Sequence, residues 1–341
     1  MSLSQRIREF FLLADLKRTF LVIIPLLLVI SMVVLMFYYD TTTDMFDVRR
    51  NAAAQAGERG HIEVTGYVTV STLQKVIQSL WEKRGGYLSN DVTPPSIFMD
   101  NTPNWEWGVL RQSRDLVLIL RNEMSRSQSQ SLEDIDLAAA QNLLTIDSEN
   151  WLFPKAETEY GAAVAALDRY LVKIVDSGQT GAQFYARADN LREWLAVVEK
   201  QLGSLATRLN ASAGTTRINT DLSGDPAAEQ ATQGPGEIRV KTAWLQIDDV
   251  FHEARGSCWA LIHLLKAVEV DFASVLEKKN AGASLQQIIS DLEATQSSIW
   301  SPMVLNGSGF GFTANHSLVM ASYISQANAA LIDLRNLLEQ G

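Results

Sequence analysis

Twenty consecutive residues, Phe20 to Tyr39, carry no charge, and their centre reads Leu21-Val22-Ile23-Ile24-Pro25-Leu26-Leu27-Leu28-Val29-Ile30. At 1.5 Å per residue such a run spans about 30 Å as a helix, the thickness of a bilayer's hydrocarbon core. Pro25 falls in the first two turns, where its missing N–H costs less than at mid-helix. Tyr38 and Tyr39 close the run, as aromatics at a membrane interface do. Soluble helices of this length carry a charged face. A cleavable signal has a shorter apolar region followed by small residues. Phe37, Tyr38, Tyr39 and Asp40 offer no such site. The run therefore reads as an uncleaved signal anchor.

Its flanks set an expected orientation. Arg6, Arg8, Lys17 and Arg18 precede the run, whereas Asp40, Asp44 and Asp47 follow it, with Arg49 and Arg50 further on. The positive-inside rule places residues 1–19 in the cytoplasm and the rest in the periplasm, as in a single-pass protein of a bacterial inner membrane. The chain has 29 basic and 39 acidic residues, a net charge of −10. Residues 40–341 hold 25 of the basic and 37 of the acidic ones, a net of −12. That balance argues against a nucleic-acid partner. It also predicts that an exported body is repelled by anionic headgroups and does not lie flat on the bilayer. The one cysteine, Cys258, excludes an intramolecular disulfide and a cysteine-based zinc finger.

Beyond the span, apolar residues recur every three to four positions. Residues 40–70 read as a polar, alanine-rich stalk, with an extended entry segment over His61–Val70. Ser71 or Thr72 then caps a helix that ends at Gly85-Gly86. Stripes follow on 105–126, on 131–146 (Leu132, Ile135, Ala139, Leu143, Ile146) and on 157–176. The C-terminal half is more regular. Phe184 to Leu209, Trp244 to Val275, Leu285 to Ile299 and Met320 to Leu338 alternate steps of three and four. A seven-residue period marks coiled-coil-like packing. The expected fold is all-α: one transmembrane helix (20–39), then elongated helical bundles over 71–180 and 181–341. A flexible, Gly- and Pro-rich crossover occupies 211–238 within the second.

Sites of chemistry are harder to find. His61, His252, His263 and His316 lack a metal-ligand spacing. Cys258 lies on the apolar stripe and reads as a buried small hydrophobe. Trp105-Glu106-Trp107 and Trp151-Leu152-Phe153-Pro154 read as plugs at bundle ends, and Arg111 with Arg114 and Asp115 as a solvated ion-pair group. No cofactor or metal is expected. Asn306-Gly307-Ser308-Gly309-Phe310-Gly311-Phe312 lacks the lysine of a phosphate-binding loop. Two readings stay open for it. It can be a helix connection whose rings pack onto the bundle, or a recognition loop that presents Phe310 and Phe312 to a partner, with Trp105, Trp107 and Arg111 as weaker contact candidates.

Several long segments are distinctive: Asn104-Trp105-Glu106-Trp107-Gly108-Val109-Leu110-Arg111-Gln112, Ser125 to Ser131, Gly256-Ser257-Cys258-Trp259-Ala260-Leu261, and Trp300 to Phe312. Together they resemble an uncharacterised family of proteobacterial membrane-anchored proteins, the domain of unknown function numbered 2333. The resemblance implies a Gram-negative host and transfers no activity. The sequence favours a non-enzymatic envelope scaffold or assembly factor, attached to lipid through residues 20–39 and binding an envelope protein or itself. A periplasmic ligand-binding or sensor module and an envelope-acting enzyme are the rival readings.

Overall fold

A computed structural model of the chain describes residues 3–127, 132–176, 182–218, 237–301, 303–308 and 312–340. Eleven helices follow one another among these residues. They are α1 Leu3–Tyr39, α2 Val48–Arg59, α3 Tyr67–Glu82, α4 Asn101–Ile119, α5 Ile135–Leu144 and α6 Ala156–Val175, then α7 Ala188–Asn210, α8 Ile247–Asp271, α9 Ala273–Lys278, α10 Gly282–Ala294 and α11 His316–Glu339. Two short strands, β1 Thr215–Ile218 and β2 Glu237–Val240, pair antiparallel with Thr215 opposite Val240. The fold is all-α apart from this ladder, which forms at the two ends of the stretch expected as a flexible crossover. The crossover between the strands, residues 219–236, lies outside the described residues, as does much of the serine-rich loop, 128–131.

The apolar run is the C-terminal part of α1. Thr19–Tyr39 is long and apolar enough to cross a membrane, and none of it is buried in the protein. Residues 40–70 are not a stalk. Asp47 caps α2 by accepting from the Arg50 N–H at 2.9 Å, and Val48, Ala52 and Ala56 bury one face of α2. Alanines at i, i+4 give little apolar signal in a sequence, yet they let two helices approach closely.

The extended segment expected at His61–Val70 is also corrected. Helix α3 starts at Tyr67, ahead of the anticipated caps. Burial of Tyr67, Val68 and Val70 outweighs the weak strand preference of β-branched residues. The cap comes from elsewhere: the Asp271 carboxylate at the end of α8 accepts from the Thr69 N–H and Oγ1, both at 2.7 Å. Gly66 makes the turn at φ +93°, where a Cβ would strike the Phe184 ring.

Most of the regular stripes are core. Leu191, Leu195, Val198, Leu202, Leu205 and Leu209 of α7 are buried, as are Met320, Ile324, Ala327, Leu331, Leu334 and Leu338 of α11, and these two helices pair along their length. In α8, Phe251, Ala254, Cys258, Leu261, Leu265 and Val268 are buried, while Trp244 precedes the helix and is exposed. The stripe on α5 was in the wrong register. Leu132 and Ile135 face solvent, and Leu137, Ala140 and Leu144 are buried against α6.

The most extensive helix pairing joins α4 to α8, across the expected boundary at residue 180. Buried side chains from α2 through α11 form one connected core. Two glycines allow the α4–α8 crossing. A Cβ on Gly108 would meet the Glu253 carbonyl, and one on Gly256 would meet the Trp105 carbonyl. At that closeness the Trp105 and Trp259 rings pack 5.2 Å apart.

Candidate functional site

Helix α1 runs straight into the folded body. Arg84 lies over the Tyr38 ring, 5.3 Å from its centroid, and Tyr39 packs on Gly85. Asp40 accepts from Asn101 Nδ2 at 3.4 Å and Thr102 Oγ1 at 3.2 Å, at the start of α4. A few residues on, the Phe46 N–H donates to His263 Nε2 at 3.1 Å, and the two rings stack 4.0 Å apart. His263 Nδ1 sits 2.7 Å from the Trp259 carbonyl oxygen. A carbonyl can only accept and an N–H can only donate. The proton is therefore on Nδ1, and the imidazole is neutral. Burial lowers its pKa to about 4. This histidine is a bolt between the strap 40–47 and α8.

A cleft opens beside the end of α1. Its volume is about 480 Å³, and its walls include Phe37, Asp40, Asp248, His252, Arg255 and Met303. Arg255 donates to the Gln296 carbonyl at 3.0 Å and makes no ion pair with a carboxylate among the described residues. Burial lowers the His252 pKa, Asp40 opposes that shift, and Arg255 reinforces it. The ring thus sits between charges of both signs. A second groove, about 290 Å³, shares Phe37, Asp40 and Asn101 with the cleft. It is largely apolar, lined by Val33, Met36 and Phe37 of α1 and by Phe98 and Met99, together with Asp40, Asp100 and Asn101.

The glycine loop lies near the ends of α7 and α11. Asn306 and Asn315 form an isolated antiparallel bridge at its base. Asn315 Nδ2 donates to Asn306 Oδ1 at 2.8 Å and to the Gly307 carbonyl at 2.7 Å, while its Oδ1 caps α11 through the Leu318 N–H. Asn306 Nδ2 ties the base to Ser212 at 3.0 Å. A Cβ on Gly307 would collide with Thr313. Phe312 is fully exposed. Gly309, Phe310 and Gly311 lie outside the described residues.

The weaker candidates fall elsewhere. Trp105 is fully buried at the α4–α8 crossing, and Trp107 is partly exposed with Arg114 over its ring at 5.3 Å. Arg111 is drawn to the buried Glu253 at 3.3 Å, which also takes both terminal nitrogens of Arg208. Arg114 donates to the Leu144 and Ile146 carbonyls, and Asp115 accepts from Gln201. The expected solvated group is therefore an interhelix clamp. Trp151, Leu152 and Phe153 are exposed and do not plug the bundle. Cys258 is fully buried, and burial pushes its thiol up to about 12. Among the described residues no three His, Cys, Asp or Glu side chains are grouped to hold a metal.

Residues 13–341 match DUF2333, described as an uncharacterized protein conserved in bacteria. The chain belongs to this family. No curated protein and no solved structure matches it. In this DUF2333 chain, two of the distinctive segments, 104–112 and 256–261, are the two sides of the glycine crossing. A third, 300–306, borders the cleft through Ser301, Met303 and Val304.

The cleft was invisible to the sequence reading. Phe37, Asp40, Thr102, Arg255 and Met303 come from four separate stretches of chain, and only folding brings them together. The signal present in the sequence is Asp40 directly after the span.

Proposed function

We propose that this protein is a non-enzymatic scaffold or assembly factor of the bacterial envelope, held by α1 in the inner membrane with its helical body in the periplasm. The observation that carries this reading is the junction of span and body. Tyr38, Tyr39, Asp40 and Phe46 are each engaged by the body, so no free linker intervenes. A partner bound to such a body is held at a fixed height and attitude above the bilayer. The histidine and cysteine on the core stripe are occupied structurally, as a bolt and as packing. The glycine loop suits partner capture, since its base is fixed by asparagine bonds while Phe312 is presented to solvent.

Two results are expected. A reporter active only in the periplasm should work when fused after Gly341 and fail when fused before Ser2. The reverse pattern would overturn the orientation. A photocrosslinking amino acid at Phe312 in living cells should give a discrete protein adduct, from an envelope protein or a second copy. The same probe at Val172 or Ile332, exposed on helix sides, should give none. Equal labelling at all three positions, or none at Phe312, would defeat the scaffold reading.

A further inference from the structure

The cleft and the groove beside α1 make one continuous site with two chemistries. The groove is largely apolar, and three of its residues, Val33, Met36 and Phe37, belong to the membrane-spanning part of α1. At 1.5 Å per residue, Val33 lies about 9 Å along the helix from Tyr39, on the bilayer side. Phe98 and Met99 line the groove opposite these residues, so the short helical turn Ser96–Phe98 reaches down alongside the span. Ile97 and Phe98 are 54% and 60% exposed there. Exposed apolar side chains at that depth meet lipid, not water. Trp300, fully exposed, and Met303, 62% exposed, follow α10 on the cleft's other side.

Above the groove the lining becomes ionic. Arg255 offers guanidinium N–H groups with no carboxylate partner among the described residues, and His252 stands one helical turn before it on α8. Asp40 and Asp248 face the same space. A partly buried arginine without a counter-charge is costly unless an anion joins it. Carboxylates in the same space would repel a purely anionic headgroup but attract an ammonium tethered to the phosphate by a two-carbon arm.

We infer that this site binds a zwitterionic, amine-bearing phospholipid drawn from the surrounding bilayer. Its phosphate meets Arg255 and His252, its ammonium meets Asp40 and Asp248, and one acyl chain lies in the groove between α1 and Phe98. The inference rests on α1 being a retained membrane span. The lipid fills an apolar groove between the body and its own anchor, and so seats the body on the bilayer despite its net negative charge. The seat depends on apolar turns and a headgroup with a positive end, so it does not require the acidic body to lie flat on anionic headgroups.

Native mass spectrometry of the full-length protein in detergent tests this directly. Equal amounts of palmitoyl-oleoyl phosphatidylethanolamine and phosphatidylglycerol are added, and the retained adducts are compared. Phosphatidylethanolamine should be retained about fivefold more, the size of one partly solvated ion pair. Asp248→Asn, at a side chain with no bonded partner among the described residues, should bring that ratio to within about twofold of unity. Arg255→Gln should lower phosphatidylethanolamine retention about tenfold. If Arg255→Gln fails to fold, Asp248→Asn decides alone. Equal retention of both lipids by the wild type, or an unchanged ratio in Asp248→Asn, overturns the site. Glycerophosphoethanolamine, the headgroup without chains, should not be retained, and its retention would overturn a membrane source. The same spectrum reports the intact mass. A full-length mass without lipid preference defeats this inference alone, whereas a mass lacking α1 defeats the anchor reading beneath it.

Discussion

Replacing Lys83 by methionine should cost about 3–5 kcal/mol of folding stability at pH 7, because it strands a buried carboxylate. The Lys83 and Glu106 side chains are 2% and 0% exposed, with Nζ and Oε1 2.5 Å apart. Glu106 also accepts from the Leu88 N–H at 2.9 Å and the Ser89 N–H at 2.8 Å. This carboxylate therefore folds the turn after α3 onto α4, and Tyr39 packs on that turn at Gly85. Burial raises the Glu106 pKa, and Lys83 is the largest influence opposing it. Without Lys83 the rise is larger. A group whose folded pKa lies above its unfolded value contributes stability below the unfolded pKa and loses it as pH rises through the folded one. The deficit in Lys83→Met should therefore be smaller near pH 4 than at pH 7. Adding Glu106→Gln should recover part of the pH 7 loss, since the amide oxygen still accepts one backbone bond without a charge. Urea denaturation of the full-length protein at both pH values measures this. A deficit below about 1 kcal/mol at pH 7 would mean that water reaches the pair.

That pair also marks what sequence periodicity can and cannot reveal. The stripes on α7, α8 and α11 were legible because each is a repeat of large apolar residues within one helix, and burial follows the repeat. Ala52 and Ala56 were misread as stalk because small side chains carry their information in closeness, not in hydrophobicity. Leu132 and Ile135 mislead for the opposite reason: both are large and apolar, but Leu132 precedes α5 and Ile135 is its exposed first residue. Asp271 and Glu106 act as caps and anchors for segments far along the chain, and no local motif encodes such a bond. At the candidate site the glycine loop was visible through composition alone. Its fixed base depends on Asn306 and Asn315, whose pairing is a tertiary event. Arg255 stands in a helical stretch like any solvated arginine, and only folding sets it in the wall of the cleft without an ion pair among the described residues.

Alanine at Gly256 should destabilise the protein by about 1–3 kcal/mol, the usual cost of forcing an added group into a packed interior. The sign is the informative part. In an open helix, glycine to alanine gains about 0.8–1 kcal/mol from backbone preference alone. Here the new methyl meets the Trp105 carbonyl, a backbone atom of α4 that no rotamer change can move aside. The two helices must separate, and separation loosens the Trp105–Trp259 contact and the bond from Ser257 Oγ to the Gly108 carbonyl at 3.2 Å. Gly108→Ala meets the mirror problem against the Glu253 carbonyl and Ser257 N. The two substitutions act on one crossing, so the space opened by the first lessens the cost of the second. The double variant should fall short of the sum by about 0.5 kcal/mol or more. Chemical denaturation of both single variants and the double measures that coupling. A stabilising Gly256→Ala, or strict additivity, would show that α4 and α8 do not touch through their backbones. Arg255 is the neighbour of Gly256, and Thr102 lies one turn before Trp105, so the crossing also sets the distance between two walls of the cleft. Gly256→Ala should therefore lower phospholipid retention in the variant molecules that remain folded, linking the helix crossing at the centre of the body to the site beside its anchor.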